Sequence, residues 1–297
     1  MRKKALNNPV GVGKYTGLLL ILPFTLGVVI FTIYPFISSF IIGMTNYNGI
    51  SSPEFVGAEN YISMFKSRDF LRSAAVTLKY TAILVPLKLI FSLLTAMLLN
   101  MEIRGIGVYR TIFYIPSILG SNMAVVIMWQ FLFTSGGLAN QLLAIAGIEA
   151  VGWYGDQNHA MAMIILLRLW EFGSTMIIFL NALRDVPTEY YEAAKVDGCG
   201  KVRSFFFITI PLLKKVIFLN LILQIIAAMQ EFNAPYMITG GGPMKGTYTL
   251  GMMIYDEMFK YRNIGYANAL SWVMFMVIGA VVLIMFAVTG KRQEDEQ

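Results

Sequence analysis

The 297-residue chain has one cysteine, Cys199, and one histidine, His159. A single cysteine excludes a disulfide within the chain, and one Cys with one His makes no metal-ligating set. Both read as loop residues. Charge is scarce as well: Asp, Glu, Lys and Arg make up 13% of the residues, against roughly 25% in soluble domains. No charged residue occurs between Lys14 and Glu54, and no A-x-A-like site follows that apolar core. A cleaved secretory signal is therefore excluded, and a retained membrane span is expected. Neither an internal repeat nor a low-complexity tract is present.

What remains is largely apolar. Hydrophobic residues reach 57% and the mean hydropathy is +0.65. One soluble core cannot bury that much, so lipid must solvate much of the surface. A helix crossing the hydrocarbon needs about 20 mostly apolar residues. Six stretches qualify: 15–43, 75–100, 110–133, 159–182, 214–238 and 264–289. Pro23, Pro35, Pro86, Pro116 and Pro235 fall inside them, which membrane helices tolerate because neighbours re-satisfy the freed carbonyls. The expectation is an all-α membrane protein with six transmembrane helices.

The isoelectric point near 9.3 does not signal nucleic acid, because the basic residues are sorted by loop and not gathered into a patch. An N-terminus in the cytoplasm puts Lys and Arg at 2, 3, 4, 14, 104, 110, 184, 195, 201, 203, 214, 215, 291 and 292 on that side. The other side receives only 66, 68, 72, 245, 260 and 262, and no Lys or Arg occurs from 111 to 167. The positive-inside rule then makes both termini cytoplasmic. The resulting division is a cytoplasmic N-terminus (1–14), a six-span domain (15–289) with a cytoplasmic loop at 184–213, and a cytoplasmic tail (290–297).

That loop contains "VPTEYYEAAKVDG". Pro187 suits a first helical turn, Glu189 and Glu192 favour the positive end of the helix dipole, and "YYEAAKV" is helix-forming. Gly198 and Gly200 end it, with Gly198 predicted in the left-handed region. "VRSFFFITIP" then starts a second helical or extended piece, with Phe205, Phe206 and Phe207 packing on the membrane base. A helix this short has little stability alone. It suits either a knob filling a partner's groove or an amphipathic segment resting on lipid headgroups. "GCGK" at 198–201 is not a phosphate loop, which would need Gly at 195 and Ser or Thr at 202, where Lys195 and Val202 stand.

Polar residues inside spans are expensive in hydrocarbon and point to a pathway. The fourth span offers Arg168, Trp170, Glu171, Ser174 and Thr175; the fifth offers Gln224, Gln230, Glu231 and Asn233. Arg168 and Glu171, three apart, are placed to pair on one face. Gln224 and Glu231, seven apart, would lie two turns along another. Two readings stay open: a substrate site between facing stripes, or a structural ion pair with glutamines bridging helices. Lys88 reads as structural. A secondary transporter relaying ions through Glu171, Glu231 and Lys88 lacks the expected paired halves. No selectivity ring marks a channel, and no nucleophile elbow marks an enzyme.

"EAA" with its turn glycine and "ITIP" resembles the cytoplasmic signature of binding-protein-dependent ABC importer permeases, at Glu192, Ala193, Ala194, Asp197, Gly198, Ile208 and Pro211. The likeness extends along the chain through "LPFTLGVVIFTIYPFISSF", "NYISMFKSRDFLRSAAVTLKYT", "LTAMLLN", "YRTIFYIPSILGSNMAVVIMWQFLF" and "YMITGGGP". The last is similar to the maltose-permease-like first partner of a heterodimeric pair. Cys199 departs from the family, which usually has Ala there. The resemblance implies a type I ABC importer permease fold, with a coupling helix between spans four and five gripped by an ATPase subunit. Tyr190, Tyr191, Ala193 and Ala194 would supply close packing, and Glu192 would pair with a basic residue of that partner. It implies sugar contacts at Arg168, Glu171, Phe172, Thr175, Gln224, Ala227, Ala228 and Glu231, with Trp170 and Phe172 stacking on pyranose faces. The implied partners are a second related permease, ABC ATPase subunits that bind ATP and Mg, an extracytoplasmic sugar-binding protein, a sugar or oligosaccharide, and lipid. No cofactor and no catalytic role is implied for this chain, which would lie in a bacterial or archaeal cell membrane.

Overall fold

The computed structural model describes residues 16–101, 104–120 and 122–294. The expected N-terminal segment 1–14 and the last tail residues, 295–297, lie outside the described residues. Helices follow one another as α1 (Thr16–Val28), α2 (Tyr34–Gly43), α3 (Glu59–Lys66), α4 (Arg68–Leu99), α5 (Ile106–Leu119), α6 (Met123–Leu132) and α7 (Leu138–Ile145). The second half holds α8 (Gln157–Trp170), α9 (Gly173–Arg184), α10 (Thr188–Val196), α11 (Lys201–Ser204), α12 (Ile210–Met229), α13 (Asn233–Thr239), α14 (Leu250–Tyr255) and α15 (Ile264–Glu294). Among the described residues the only extended pairing is an isolated bridge between Thr45 and Phe55.

Among the described residues, four helices are long and apolar enough to cross a membrane: Gly17–Gly43, Arg68–Leu99, Lys201–Met229 and Ile264–Thr289. Two bent pairs bring the number to six if each is one span: α5 with α6, inclined at 101°, and α8 with α9, at 44°. The expected stretches 110–133 and 159–182 are therefore broken and not straight. The fifth differs too. Its helix begins at Lys201, ends at Met229, and leaves α13 as a separate piece.

Prolines explain part of this. Pro35 and Pro211 are each preceded by a π turn, Val29–Ile33 and Phe205–Thr209, in which Tyr34 and Ile210 donate to Val29 and Phe205. The wider turn relieves the clash between a proline ring and the carbonyl four residues back. Pro235 sits in the first turn of α13 and has no N–H for the Glu231 carbonyl. The Thr249 hydroxyl donates to that oxygen at 2.8 Å instead.

The bundle is apolar outside and partly polar within, as lipid solvation favours. Along α4, Ser73, Thr77, Tyr80, Ser92 and Ala96 are buried, while Leu78, Ile90 and Phe91 are exposed. α4 is the central helix and packs on α8, α9 and α12, whereas α15 packs on α2. From residue 17 on, no residue of α1 is buried, and Leu20 and Phe24 are well exposed.

Candidate functional site

The broken spans converge on one cluster of charge. Arg168, in the last turn of α8, makes a two-pronged contact with Glu231: Nε to Oε2 at 2.7 Å and Nη2 to Oε1 at 2.9 Å. Its remaining nitrogen, Nη1, donates to both Glu171 oxygens at 2.8 and 2.9 Å. The planar guanidinium suits this forked recognition in a way a lysine ammonium would not. All three side chains are nearly buried, at 13%, 12% and 10% exposure for Arg168, Glu171 and Glu231. The buried Tyr80 reaches in from α4, its hydroxyl 3.5 Å from Glu231 Oε2. Lys88, two turns further along α4, interacts electrostatically with Glu171 and Glu231. Formal charge across these four ionisable groups balances, two of each sign.

Why the cluster forms where it does follows from the backbone. Glu171 is the C-cap residue of α8 and Glu231 lies in the gap between α12 and α13. The Glu231 carboxylate also accepts from the Ala234 N–H at 3.1 Å, capping the first turn of α13. Carbonyls loosened at the α8–α9 break find hydroxyls from other helices: Ser117 donates to Glu171 and Ser92 to Phe172, both at 3.4 Å. Ser117 accepts in turn from the Ser174 N–H at 2.9 Å. α9 comes this close to α5 because Gly173 has no side chain. A Cβ there would stand 2.7 Å from the Phe113 carbonyl oxygen and 2.9 Å from the Tyr114 Cα. At the second break Gln130 of α6 donates to the carbonyls of Met237 and Ile238.

Of the residues singled out in spans four and five, the structure brings Arg168, Glu171 and Glu231 into one cluster and Thr175 against Gln224, but not the others. Gln224 donates to the Thr175 hydroxyl at 3.0 Å, joining α12 to α9 below the Arg168–Glu231 contact. Gln224 and Glu231 are not on one unbroken helix, because α12 ends between them. Phe172 is 3% exposed and meets Phe91 edge-on at 4.8 Å, and Ala228 is equally buried. Trp170 is half-exposed, with Trp129 6.0 Å away, in an aromatic cavity of about 470 Å³ that also takes in Phe91, Phe113 and Phe133. Tyr80 and Gly173 were not singled out from the sequence. A tyrosine and a glycine near the middle of apolar runs are the signals that mark them.

At the base of the bundle, α10 has no buried residue, and Tyr190 and Val196 are strongly exposed. Glu192, Ala193 and Ala194 lie within it, and Asp197 is its C-cap. Gly198 follows with φ 73°, the left-handed conformation predicted for it. α11, the π turn and α12 then run on as one helix. Tyr191 contacts the Thr209 hydroxyl at 3.0 Å, tying α10 to that helix above a cavity of about 280 Å³ between Met97, Leu183 and Phe205. Phe205 packs inward, while Phe206 and Phe207 face out.

A bundle of apolar helices, with spans broken around a buried charge cluster and an exposed helix at its base, is the architecture of a transport permease. The family model described as binding-protein-dependent transport system inner membrane component matches residues 63–292, and the chain belongs to that family. It is 40% identical over 274 residues to the probable ABC transporter permease protein YesP of Bacillus subtilis, across 91% of this chain and 89% of that protein. The sulfoquinovosyl glycerol transport system permease protein SmoG of Agrobacterium fabrum is 39% identical, across 77% of this chain and 76% of its own length. The trehalose/maltose transport system permease protein MalF of Thermococcus litoralis is 32% identical, across 94% and 95%. In fold the chain matches, with a TM-score of 0.80 and 20% identity, a chain in the crystal structure of a bacterial alginate ABC transporter in complex with alginate pentasaccharide-bound periplasmic protein, over 93% of this chain and 94% of that one. The fold is that of type I ABC importer permeases.

Proposed function

We propose that this chain is one of two related transmembrane subunits of an ATP-driven importer whose cargo is a sugar or oligosaccharide delivered by an extracytoplasmic binding protein. Separate ATPase subunits bind ATP and Mg and grip α10 through Tyr190, Tyr191, Glu192, Ala193 and Ala194, with Asp197 and Gly198 forming the turn behind it. The chain itself catalyses nothing. It spans the cell membrane of a bacterium or archaeon, with α10 and both termini on the cytoplasmic side.

One observation carries this reading. The helix that leaves Gly198 runs unbroken from Lys201 to Met229, about 43 Å at 1.5 Å per residue, and ends next to Glu231. Gln224 lies on it, and Tyr191 is hydrogen-bonded to Thr209 on it. A displacement of α10 is thereby delivered to the contacts of Arg168 with Glu231 and of Gln224 with Thr175. Alternating access then consists of closing and parting these contacts. The substrate pathway runs past Arg168, Trp170, Glu171, Phe172, Thr175, Gln224, Ala228 and Glu231. Phe172 and Ala228 shape its wall from within the packed core, and the ionised and amide groups meet sugar hydroxyls.

The buried carboxylates also fit an ion-coupled transporter, so the test separates the two. The chain is reconstituted in liposomes with its copurifying subunits and binding protein, and sugar uptake is followed with ATP or with an ion gradient. Uptake that requires ATP supports the importer. Uptake by the chain alone, driven by a gradient, refutes it.

A further inference from the structure

Four aromatic rings continue outward from the charge cluster. Phe232 directly follows Glu231 and stands four residues before Tyr236 on α13; Tyr255 stands four before Phe259 across the end of α14. Such pairs share a helix face, and here the two faces meet. Phe232 stacks on Tyr236 at 4.9 Å and 28°, and Tyr255 lies 4.8 Å from Phe232, 5.2 Å from Tyr236 and 5.0 Å from Phe259. The outer members are exposed, Tyr236 at 42% and Phe259 at 65%. A cavity of about 300 Å³ opens on them, with Asp256 and Lys260 in its wall. The Tyr248 hydroxyl donates to Asp256 Oδ2 at 2.8 Å and fixes that carboxylate.

The backbone here is unusual for a reason that proline does not supply. Asp256–Lys260 forms a third π turn, closed by the Tyr261 N–H donating to the Asp256 carbonyl at 2.9 Å. The other two precede Pro35 and Pro211, and no proline follows this one. Single π turns within helices are frequent at functional sites. This one bounds the segment that carries Asp256, Phe259 and Lys260 into a single cavity.

A pyranose has an apolar C–H face edged by hydroxyls. Ring faces bordered by a carboxylate and an ammonium complement it, whereas an acyl chain has no use for either charge. We infer that Tyr236, Tyr255 and Phe259, backed by Phe232 and with Asp256 and Lys260 at the rim, form a second saccharide subsite outside the charge cluster, on which a sugar ring stacks before it reaches Glu231. This rests on the carbohydrate-import reading above.

The purified full chain in nanodiscs, exposed to maltotriose, cellotriose and raffinose, tests the inference by saturation-transfer NMR. At least one trisaccharide should bind the native chain through its C–H protons. Phe259→Leu, which keeps apolar bulk on an exposed position but loses the ring, should weaken binding about fivefold, equivalent to about 1 kcal/mol at 1.4 kcal/mol per decade. Phe259→Trp should bind like the native chain. Binding of none of the three, or equal binding by Phe259→Leu, overturns the subsite. So does loss of a copurifying second permease from Phe259→Leu, which would make the rings a subunit contact. Uptake of the same sugars by cells with and without the chain tests the underlying reading separately: dependence on the chain with unchanged Phe259→Leu binding removes only the subsite.

Discussion

Replacing Arg168 by Met probes the charge cluster most sharply, because it keeps the stem and removes the one group that holds two carboxylates together. Glu171 and Glu231 would then face each other at 12% and 10% exposure. Removing one partner from a buried ion pair costs about 3–5 kcal/mol, and the slight access of water here places the cost near the lower end, about 3 kcal/mol. At roughly 2–4 °C per kcal/mol for chains of this size, the midpoint of heat-induced aggregation should fall by roughly 6–12 °C. The detergent-purified chain, heated stepwise and analysed by size exclusion, reads this directly. Glu231→Gln should lose less, because its amide oxygen still accepts from the Ala234 N–H. Glu171→Gln should lose least, since the forked contact of Arg168 with Glu231 survives. The triple variant Arg168→Met/Glu171→Gln/Glu231→Gln carries no orphaned charge and should regain more than half of the loss. An Arg168→Met chain that melts with the native one, or a triple variant no better than the single, would show that Arg168 does not hold the two carboxylates together.

Three further outcomes are expected. Gly173→Ala should separate α9 from α5 and destabilise by about 1–3 kcal/mol through overpacking, read in the same heating assay. Tyr191→Phe removes the contact with Thr209 and should speed amide hydrogen exchange across Thr188–Val196 without changing that of α4. Asp156, the N-cap of α8, accepts from the backbone N–H groups of His159 and Asn158 at 3.2 and 2.8 Å, which hold its pKa below the usual aspartate value. A depressed folded pKa gives stability that is complete above the unfolded value, about 3.9, and is lost as pH falls through the folded one. The melting midpoint of the native chain should therefore decline below about pH 4 more than that of Asp156→Asn.

The long spans were legible because an uninterrupted apolar run is a property of its own residues. Gly17–Gly43 and Ile264–Thr289 lie within two residues of the stretches read from hydropathy. The breaks near residues 120, 171 and 231 were not legible. A hydropathy window averages across them, and the hydroxyls that satisfy the loosened carbonyls come from Ser92, Ser117 and Thr249, distant in the chain. The same distinction holds at the site. Arg168 and Glu171 are three apart, so helix geometry alone predicts their contact. Glu231 is 63 residues from Arg168, and only the packing of α8 against the second break brings it in. Gly198 was legible for a local reason, a glycine ending a short helix with nothing to carry it further. The charged loop between two apolar runs gains its meaning from the continuous helix beyond it.

Coupling in the proposed importer depends on α10 being the element an ATPase grips. The measurement that tests it most directly is copurification from native membranes of tagged native chain and of Gly198→Val. At φ 73° a β-branched residue is strained, by about 1–2 kcal/mol, while a Cβ at Gly198 meets nothing within 4 Å, so the bundle itself should stay intact. An ATPase and a second six-span protein should accompany the native chain, and the variant should retain the second permease but lose the ATPase. An ATPase that stays bound to the variant, or a native chain that purifies alone, would contradict that role of α10.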